Sequence, residues 1–228
     1  MIKIGAITVG QSPRTDVTMD IRPILGPDVE LLEVGALDGL GPEELRAMEP
    51  QRDDYVLVSR LRDGTSVRFA ERCILPRIQA AIRQLTKQGA QMILMLCTGE
   101  FPESLHTEIP LVYPCRLLES LVPALADNGR IGVVVPDVSQ KPQALRHWNG
   151  RAAEVHVAAA SPYDGENGFQ AAAAELKSLD LDLIILDCIG YTVSMKRMLR
   201  QATGKPVLLP RTVLARVVRE LIDGGDAL

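Results

Sequence analysis

Two stretches of this chain align without a gap: PLVYPCRLLESLV at Pro110–Val122 and PVLLPRTVLARVV at Pro206–Val218. Both prolines coincide, as do most apolar positions. Each stretch reads as a short strand running into a helix. The likeness extends further. KIGAITVG, from Lys3, resembles RIGVVVPD, from Arg130. Two apolar runs also stop on a cysteine: Met92–Leu96 before Cys97-Thr98-Gly99, and Leu183–Leu186 before Asp187-Cys188-Ile189-Gly190. Repetition on this scale points to an α/β fold of two similar parallel-sheet lobes with a cleft between them. Residues 1–113 with 210–228 are expected to form the first lobe and residues 114–209 the second. Convergent strand–loop–helix patterning is the competing explanation.

The rest of the pattern fits alternating strands and helices. Ile2–Val9 is apolar and β-branched, as a buried parallel strand should be. GQSPR (Gly10–Arg14) follows, then a helix over Thr15–Leu25 and a strand over Val29–Val34. A helix begins at GPEEL, Gly41–Leu45, with Pro42 in its first turn. Tyr55–Leu61 and Thr65–Phe69 flank Arg62-Asp63-Gly64, a hairpin signal. Cys73–Gln88 carries Ile74, Ile78, Ile82 and Leu85 on one helical stripe and ends at Gly89. In the second half, strands are expected at Ile131–Val135, Ala153–Ala158, Leu183–Leu186 and Pro206–Leu209. Helices are expected at Phe169–Leu179 and Val213–Ile222, and Pro136–Lys141 reads as a polar loop.

Composition narrows the function. Of 228 residues, 46% are hydrophobic and 24% charged, enough to fill a core. A formal charge of -4 and aromatics at only 4% argue against a nucleic-acid partner. No apolar run approaches the roughly 20 residues of a membrane span, and MIKIGAITVG lacks the basic and apolar regions of a signal peptide. A cytoplasmic protein without a membrane partner is therefore expected. The apolar helices leave room for a homodimer. The cysteines at 73, 97, 115 and 188 form no metal pattern, and the scattered His106, His147 and His156 add none, so no metal is expected. Nucleotide-binding glycine motifs are also missing, and no cofactor is expected.

Ligands of open α/β sheets bind beyond the carboxyl ends of the strands. Cys97 and Cys188 both fall there. Two thiols facing each other across a cleft can invert a carbon centre: one removes a proton, the other returns one to the opposite face. Both Cys97 and Cys188 are expected where a loop turns into a helix, whose N-terminus lowers a thiol pKa. Backbone N–H groups there would hold a carboxylate or enolate. Core packing is the alternative for any single cysteine, and Cys73 and Cys115 are read as structural. In GQSPR, Gln11, Ser12 and Arg14 offer donors for a carboxylate. The alternative is a helix start capped by Ser12, with Arg14 in solvent. Asp187 is expected to cap rather than to act. Tyr191 and Thr192 either line the cleft or begin a helix, and Arg60 and Arg68 either reach a substrate or face solvent.

The opening strand with GQSPR, the segments MLCTGE and LDCIGYT, and the ending PVLLPRTVLARVV resemble the AroM family, within the wider aspartate/glutamate racemase superfamily. The resemblance covers essentially the whole chain. It implies two α/β lobes and a catalytic cysteine pair, which would be Cys97 and Cys188. It further implies substrate contact by the loop after the first strand, here Thr8 and Gly10–Arg14. Thr98, Gly99, Gly190 and Tyr191 complete the expected binding set. Superfamily racemases commonly carry Cys-Asn-Thr and Gly-Cys-Thr at the two sites, where this chain has Cys-Thr-Gly and Asp-Cys-Ile-Gly. The leading expectation is a cofactor-independent racemase or epimerase of a small carboxylate-bearing metabolite, an amino acid or a hydantoin-like compound. The alternatives are a single-cysteine decarboxylase, cis–trans isomerase or lyase, and a non-catalytic small-acid-binding protein.

Overall fold

The computed structural model describes residues 1–126 and 129–223; residues 127–128 and 224–228, counted above with the second and first lobe, lie outside the described residues. The chain divides into two compact units: Met1–Pro114 with Arg211–Leu228, and Cys115–Pro210.

In the first unit β1 (Ile2–Thr8), α1 (Thr15–Leu25) and β2 (Val29–Gly35) lead through a short α2 (Pro42–Arg46) into the hairpin β3 (Val56–Arg60) and β4 (Ser66–Ala70). A 3-10 turn at Glu71–Cys73, α3 (Leu75–Lys87), β5 (Met92–Leu96) and β6 (Leu111–Val112) follow. The four sheet strands are parallel, ordered β2-β1-β5-β6. Every residue of β5 is buried, consistent with its unbroken apolar run.

The second unit contains most of α4 (Pro114–Leu125), then β7 (Arg130–Val135), α5 (Lys141–Trp148), β8 (Glu154–Ala159) and α6 (Glu166–Lys177). β9 (Leu183–Leu186), α7 (Val193–Thr203) and β10 (Val207–Leu208) complete it. Its parallel sheet runs β10-β9-β7-β8, the same order as the first sheet read in reverse. Registers coincide too. Ile4 pairs with Leu31 and Met92, as Ile131 pairs with Val155 and Leu183. Ile93 pairs with Leu111, as Ile184 pairs with Val207. The repeat in the sequence is therefore a repeat in three dimensions.

The aligned segments carry this equivalence into helices. α4 buries Leu118 and Val122 in a cluster with Ile131, Val133 and Trp148 of the second unit. Their counterparts on α8 (Pro210–Ile222), Leu214 and Val218, are fully buried as well. Each such aliphatic side chain contributes about 1.5–3 kcal/mol. α8 is tied to α1 by polar contacts: Arg211 Nη1 donates to Asp20 Oδ2 (2.8 Å) and to the Asp16 carbonyl (2.9 Å), and Arg219 Nη1 to the Leu25 carbonyl (2.7 Å).

Several expectations change. The segment read as a polar loop at Pro136–Lys141 holds a 3-10 turn, Val138–Gln140, and the start of α5. Only Ala144 and Trp148 of α5 are buried, too few to produce a visible apolar stripe. The helix expected from Cys73 starts at Leu75, after the 3-10 turn, and ends before Gly89, whose φ is 84°. No helix of the described residues is long and apolar enough to cross a membrane.

Candidate active site

Cys97 and Cys188 lie at equivalent register positions, just past the carboxyl ends of β5 and β9. Both are buried, at 7% and 6% exposure. Each sulfur accepts a hydrogen bond from the backbone N–H two residues on: Gly99 N to Cys97 Sγ at 3.3 Å, and Gly190 N to Cys188 Sγ at 3.3 Å. An N–H aimed at sulfur favours the thiolate over the thiol.

The expected source of that stabilisation was different. Only Cys188 is followed by a helix, and α7 begins five residues later with Thr192 as its cap, its hydroxyl accepting from Met195 N at 3.2 Å. After Cys97 the chain runs through irregular residues to β6. In each case an amide of the turn itself donates to the sulfur. Glycine is required there by close approach. A Cβ on Gly99 would lie 2.6 Å from Leu57 Cδ2, and one on Gly190 2.5 Å from the Tyr163 hydroxyl.

The loop after β1 is dense with polar contacts. Arg14, expected in a substrate-gripping or solvent-facing role, is 3% exposed. It places a two-pronged grip on Asp16 through Nε and Nη2, both at 2.8 Å. Nη1 reaches Ser59 Oγ (3.2 Å) and Thr8 Oγ1 (3.5 Å). Burial alone would raise the Asp16 pKa. The Arg14 hydrogen bonds and charge, with Arg211 and Arg60 nearby, bring it below the usual carboxylate value. Ser12 does not cap α1: its hydroxyl donates to Asp38 Oδ2 (2.5 Å) and its N–H to Asp38 Oδ1 (2.8 Å). α1 starts at Thr15, with Arg14 in the capping position and a cis Ser12–Pro13 bond before it. Gln11 Oε1 accepts from Arg62 N (2.9 Å), and Gln11 Nε2 donates to the Leu37 carbonyl (3.5 Å). Thr8 is buried and accepts from Gly10 N at 3.2 Å. Thr8, Arg14 and Ser59 thus meet at one point, while Gln11 and Ser12 meet Arg62 and Asp38 at another.

Tyr191 belongs to the scaffold rather than to an open binding surface. It is fully buried, and its hydroxyl donates to the Ala160 carbonyl at 2.7 Å. Burial first, and then the proximity of Cys188, pushes its pKa well above the ordinary phenol value. Asp187 is not a helix cap: its Oδ2 accepts from the buried Trp148 Nε1 at 3.1 Å. Thr98 and Gly99 are partly exposed beside Cys97. Cys115 fits its structural assignment, since burial and then the nearby Glu119 push its pKa up to about 12. No group of three His, Cys, Asp or Glu able to hold a metal ion occurs among the described residues.

Sequence reasoning missed the hairpin's part in this site. Tyr55 OH accepts from Glu100 N at 3.0 Å, Leu57 packs on Gly99, and Ser59 meets Arg14. Arg62 Nε donates to the Ser12 carbonyl at 2.9 Å. Only the hairpin itself was legible; these partners lie 42–51 residues apart. Local patterning carries no signal for contacts of that span.

The fold of two parallel four-stranded α/β units is shared with several solved structures. Allantoin racemase from Klebsiella pneumoniae matches with a TM-score of 0.68 at 17% identity, over 97% of this chain and 88% of that one. Glutamate racemase from Aquifex pyrophilus matches with 0.60 at 18%, over 97% and 84%. The maleate isomerase Iso from Pseudomonas putida S16 matches with 0.59 at 14%, over 97% and 93%. No curated protein matches the chain. The AroM protein family matches residues 4–222, and the chain belongs to that family.

Proposed function

We propose that this chain is a cofactor-independent racemase or epimerase of a small carboxylate-bearing metabolite, an amino acid or a hydantoin-like compound, with Cys97 and Cys188 as its acid/base pair. The observation that carries the reading is the matched environment of the two thiols. Both follow the equivalent strand in register, and both sulfurs accept an N–H from a glycine two residues on, at 3.3 Å. A core cysteine has no need of such a donor twice over. The likeness in fold to two racemases supports the same reading.

In the proposed reaction one cysteine, as thiolate, takes the proton from the carbon next to a carbonyl. The electron pair of the broken C–H bond moves into that carbonyl as an enolate. The other cysteine, as thiol, delivers its proton to the opposite face of the carbon and becomes the thiolate. The two sulfurs have then exchanged protonation states, and the enzyme is ready for the mirror-image substrate. General acid–base catalysis of this kind contributes roughly 10²–10⁴-fold. Of the expected binding set, Ser12 is committed to Asp38 and the Gly99 and Gly190 amides to the cysteine sulfurs, which leaves Thr8, Gln11 and Thr98 to offer neutral polar groups to the substrate. Arg14 adds positive charge reduced by Asp16. Tyr191 is kept as scaffold.

Proton exchange in heavy water tests the proposal. Wild-type protein is incubated with amino acids, hydantoins and hydroxy acids, and loss of the α-proton signal is followed by NMR. Exchange with inversion by wild type, and loss of inversion in both Cys97→Ala and Cys188→Ala, is the expected result. Full inversion by either variant would sink the two-base mechanism. One inactive and one merely impaired variant would move the chemistry to a single cysteine.

A further inference from the structure

We propose that Tyr55 is a positioning residue that sets the reactivity of Cys97 by fixing the peptide that hydrogen-bonds to its sulfur. The proposal rests on the reading of Cys97 as a proton-transferring thiol. Gly99 is the link. Its own N–H donates to Cys97 Sγ at 3.3 Å, and the next N–H along the chain, that of Glu100, donates to the Tyr55 hydroxyl oxygen at 3.0 Å. Because peptide units are planar, these two bonds hold the units on both sides of the Gly99 α-carbon and so restrain its φ and ψ. Without such restraint glycine is the residue with most freedom to turn its amide away.

The ring of Tyr55 adds a second constraint. Its Cε1 lies 3.6 Å from where a Gly99 side chain would begin, and Leu57 Cδ2 lies closer, at 2.6 Å. Tyr55 and Leu57 stand at the start of the β3–β4 hairpin, which is thus the wall against which the Cys97 turn is set. Phe101, next along the loop, packs on Tyr113 with ring centroids 6.1 Å apart, so the loop is anchored on both sides of Glu100. Tyr55 touches no reacting atom in this scheme. It acts through the Gly99 amide.

The test reads the thiol itself, so it does not depend on finding a substrate. Tyr55→Phe keeps the ring against Gly99 and removes only the acceptor oxygen. Rates of iodoacetamide modification are measured for each cysteine separately, by peptide mass spectrometry, across a pH series. The titratable groups on this loop and the segments anchoring it are Glu100, Glu103, His106, Glu108 and Tyr113 on one side and Asp53, Asp54, Tyr55 and Glu71 on the other, and the substitution removes Tyr55 alone. A typical hydrogen bond is equivalent to roughly a three- to ten-fold change in equilibrium. Tyr55→Phe is therefore expected to raise the pH midpoint of Cys97 modification by about half to one unit and to slow it at neutral pH by a similar factor. Cys188 in the same samples should keep its midpoint. An unchanged Cys97 midpoint would overturn the proposal, even if the rate rose at every pH, because that pattern reports loosening and not a lost positioning bond. A Tyr163→Phe variant that moved Cys97 as far as Tyr55→Phe does would overturn it too, by showing the effect is not local. Failure of the proton-exchange experiment together with the expected Tyr55→Phe shift in the Cys97 midpoint would count against the catalytic reading alone.

Discussion

The turn that carries Cys97 and the turn that carries Cys188 solve one problem by different means. Both must aim a glycine amide at a sulfur, and both do so at 3.3 Å. Around Cys97 the constraint comes from an inserted element, the β3–β4 hairpin, through Tyr55 and Leu57. Among the described residues of the second unit there is no such hairpin, and α6 is the next element after β8. There the turn is held by its own neighbours. Tyr191 sends its hydroxyl to Ala160, Tyr163 lies over Gly190, and Asp187 takes the Trp148 indole N–H. The lesson is that the repeat preserves the geometry at sulfur and leaves the means of support free to diverge.

The largest expected effects come from filling the two glycine positions. A Cβ at either site falls well inside contact distance, and overpacking of this kind costs roughly 1–3 kcal/mol. The neighbours differ in number. Of the three atoms nearest a Gly99 Cβ only Leu57 Cδ2 falls inside 3.0 Å, whereas a Gly190 Cβ meets the Tyr163 hydroxyl at 2.5 Å and Tyr163 Cζ and Pro162 Cγ at 2.9 Å. Gly190→Ala should therefore lose more stability in denaturant titrations than Gly99→Ala. Equal losses would mean that the single hairpin contact is as unyielding as the wall of Tyr163 and Pro162, and the contrast between the two turns would fail.

Next come the bonds that support only the Cys188 turn. Tyr191→Phe removes a buried hydroxyl and leaves the Ala160 carbonyl without that donor, at a cost of about 1–3 kcal/mol. Trp148→Phe removes a hydrogen bond to the Asp187 carboxylate and should cost about 1.5–3 kcal/mol, partly through lost indole contacts. Amide exchange at Gly190 should accelerate in both variants while exchange at Gly99 stays as in wild type. Acceleration at Gly99 would show that the two turns share their support.

The repeat explains why so much of the fold was legible and why part of the site was not. Strand ends, the hairpin and the equivalence of Cys97 with Cys188 follow from apolar runs and turn residues, which act locally. Four-residue stripes and β-branched runs were enough for β1, β5, β7 and β9. The absence of a helix after Cys97 was not legible, since the contacts this segment makes, Glu100 N–H to Tyr55 and Phe101 on Tyr113, are with residues outside its local pattern. Arg14 misled for a related reason. Its sequence context allowed a solvated side chain, and only folding brings Thr8, Ser59 and the Asp16 carboxylate around it. The aligned segments also hide a divergence. Arg211 and Cys115 occupy the same repeat position, yet one is a fully buried cation paired with Asp20 and the other a buried neutral thiol.

The smallest predicted effect lies in the loop at the head of the first sheet. After β1, Arg14 grips Asp16; after β7, Asp137 of the equivalent loop accepts from Ser139 N (2.8 Å) and Oγ (2.5 Å). Burial tends to raise the Asp16 pKa, but Arg14, Arg211 and Arg60 outweigh it and leave the folded value below the unfolded one. A carboxylate depressed in this way adds stability that is fully present above its unfolded pKa, about 3.9. That stability disappears as pH falls through the lower folded value. At neutral pH Asp16→Asn should thus cost about 0.5–1 kcal/mol, the size of a partly exposed ion pair. The gap between variant and wild type should close as the pH is lowered below about 4. Denaturant unfolding of the variant and wild type at pH 7, 4 and 2.5 measures the difference, and a gap for Asp16→Asn that stays constant down to pH 2.5 would show that Arg14 is held by its hydroxyl partners and not by the charge of Asp16.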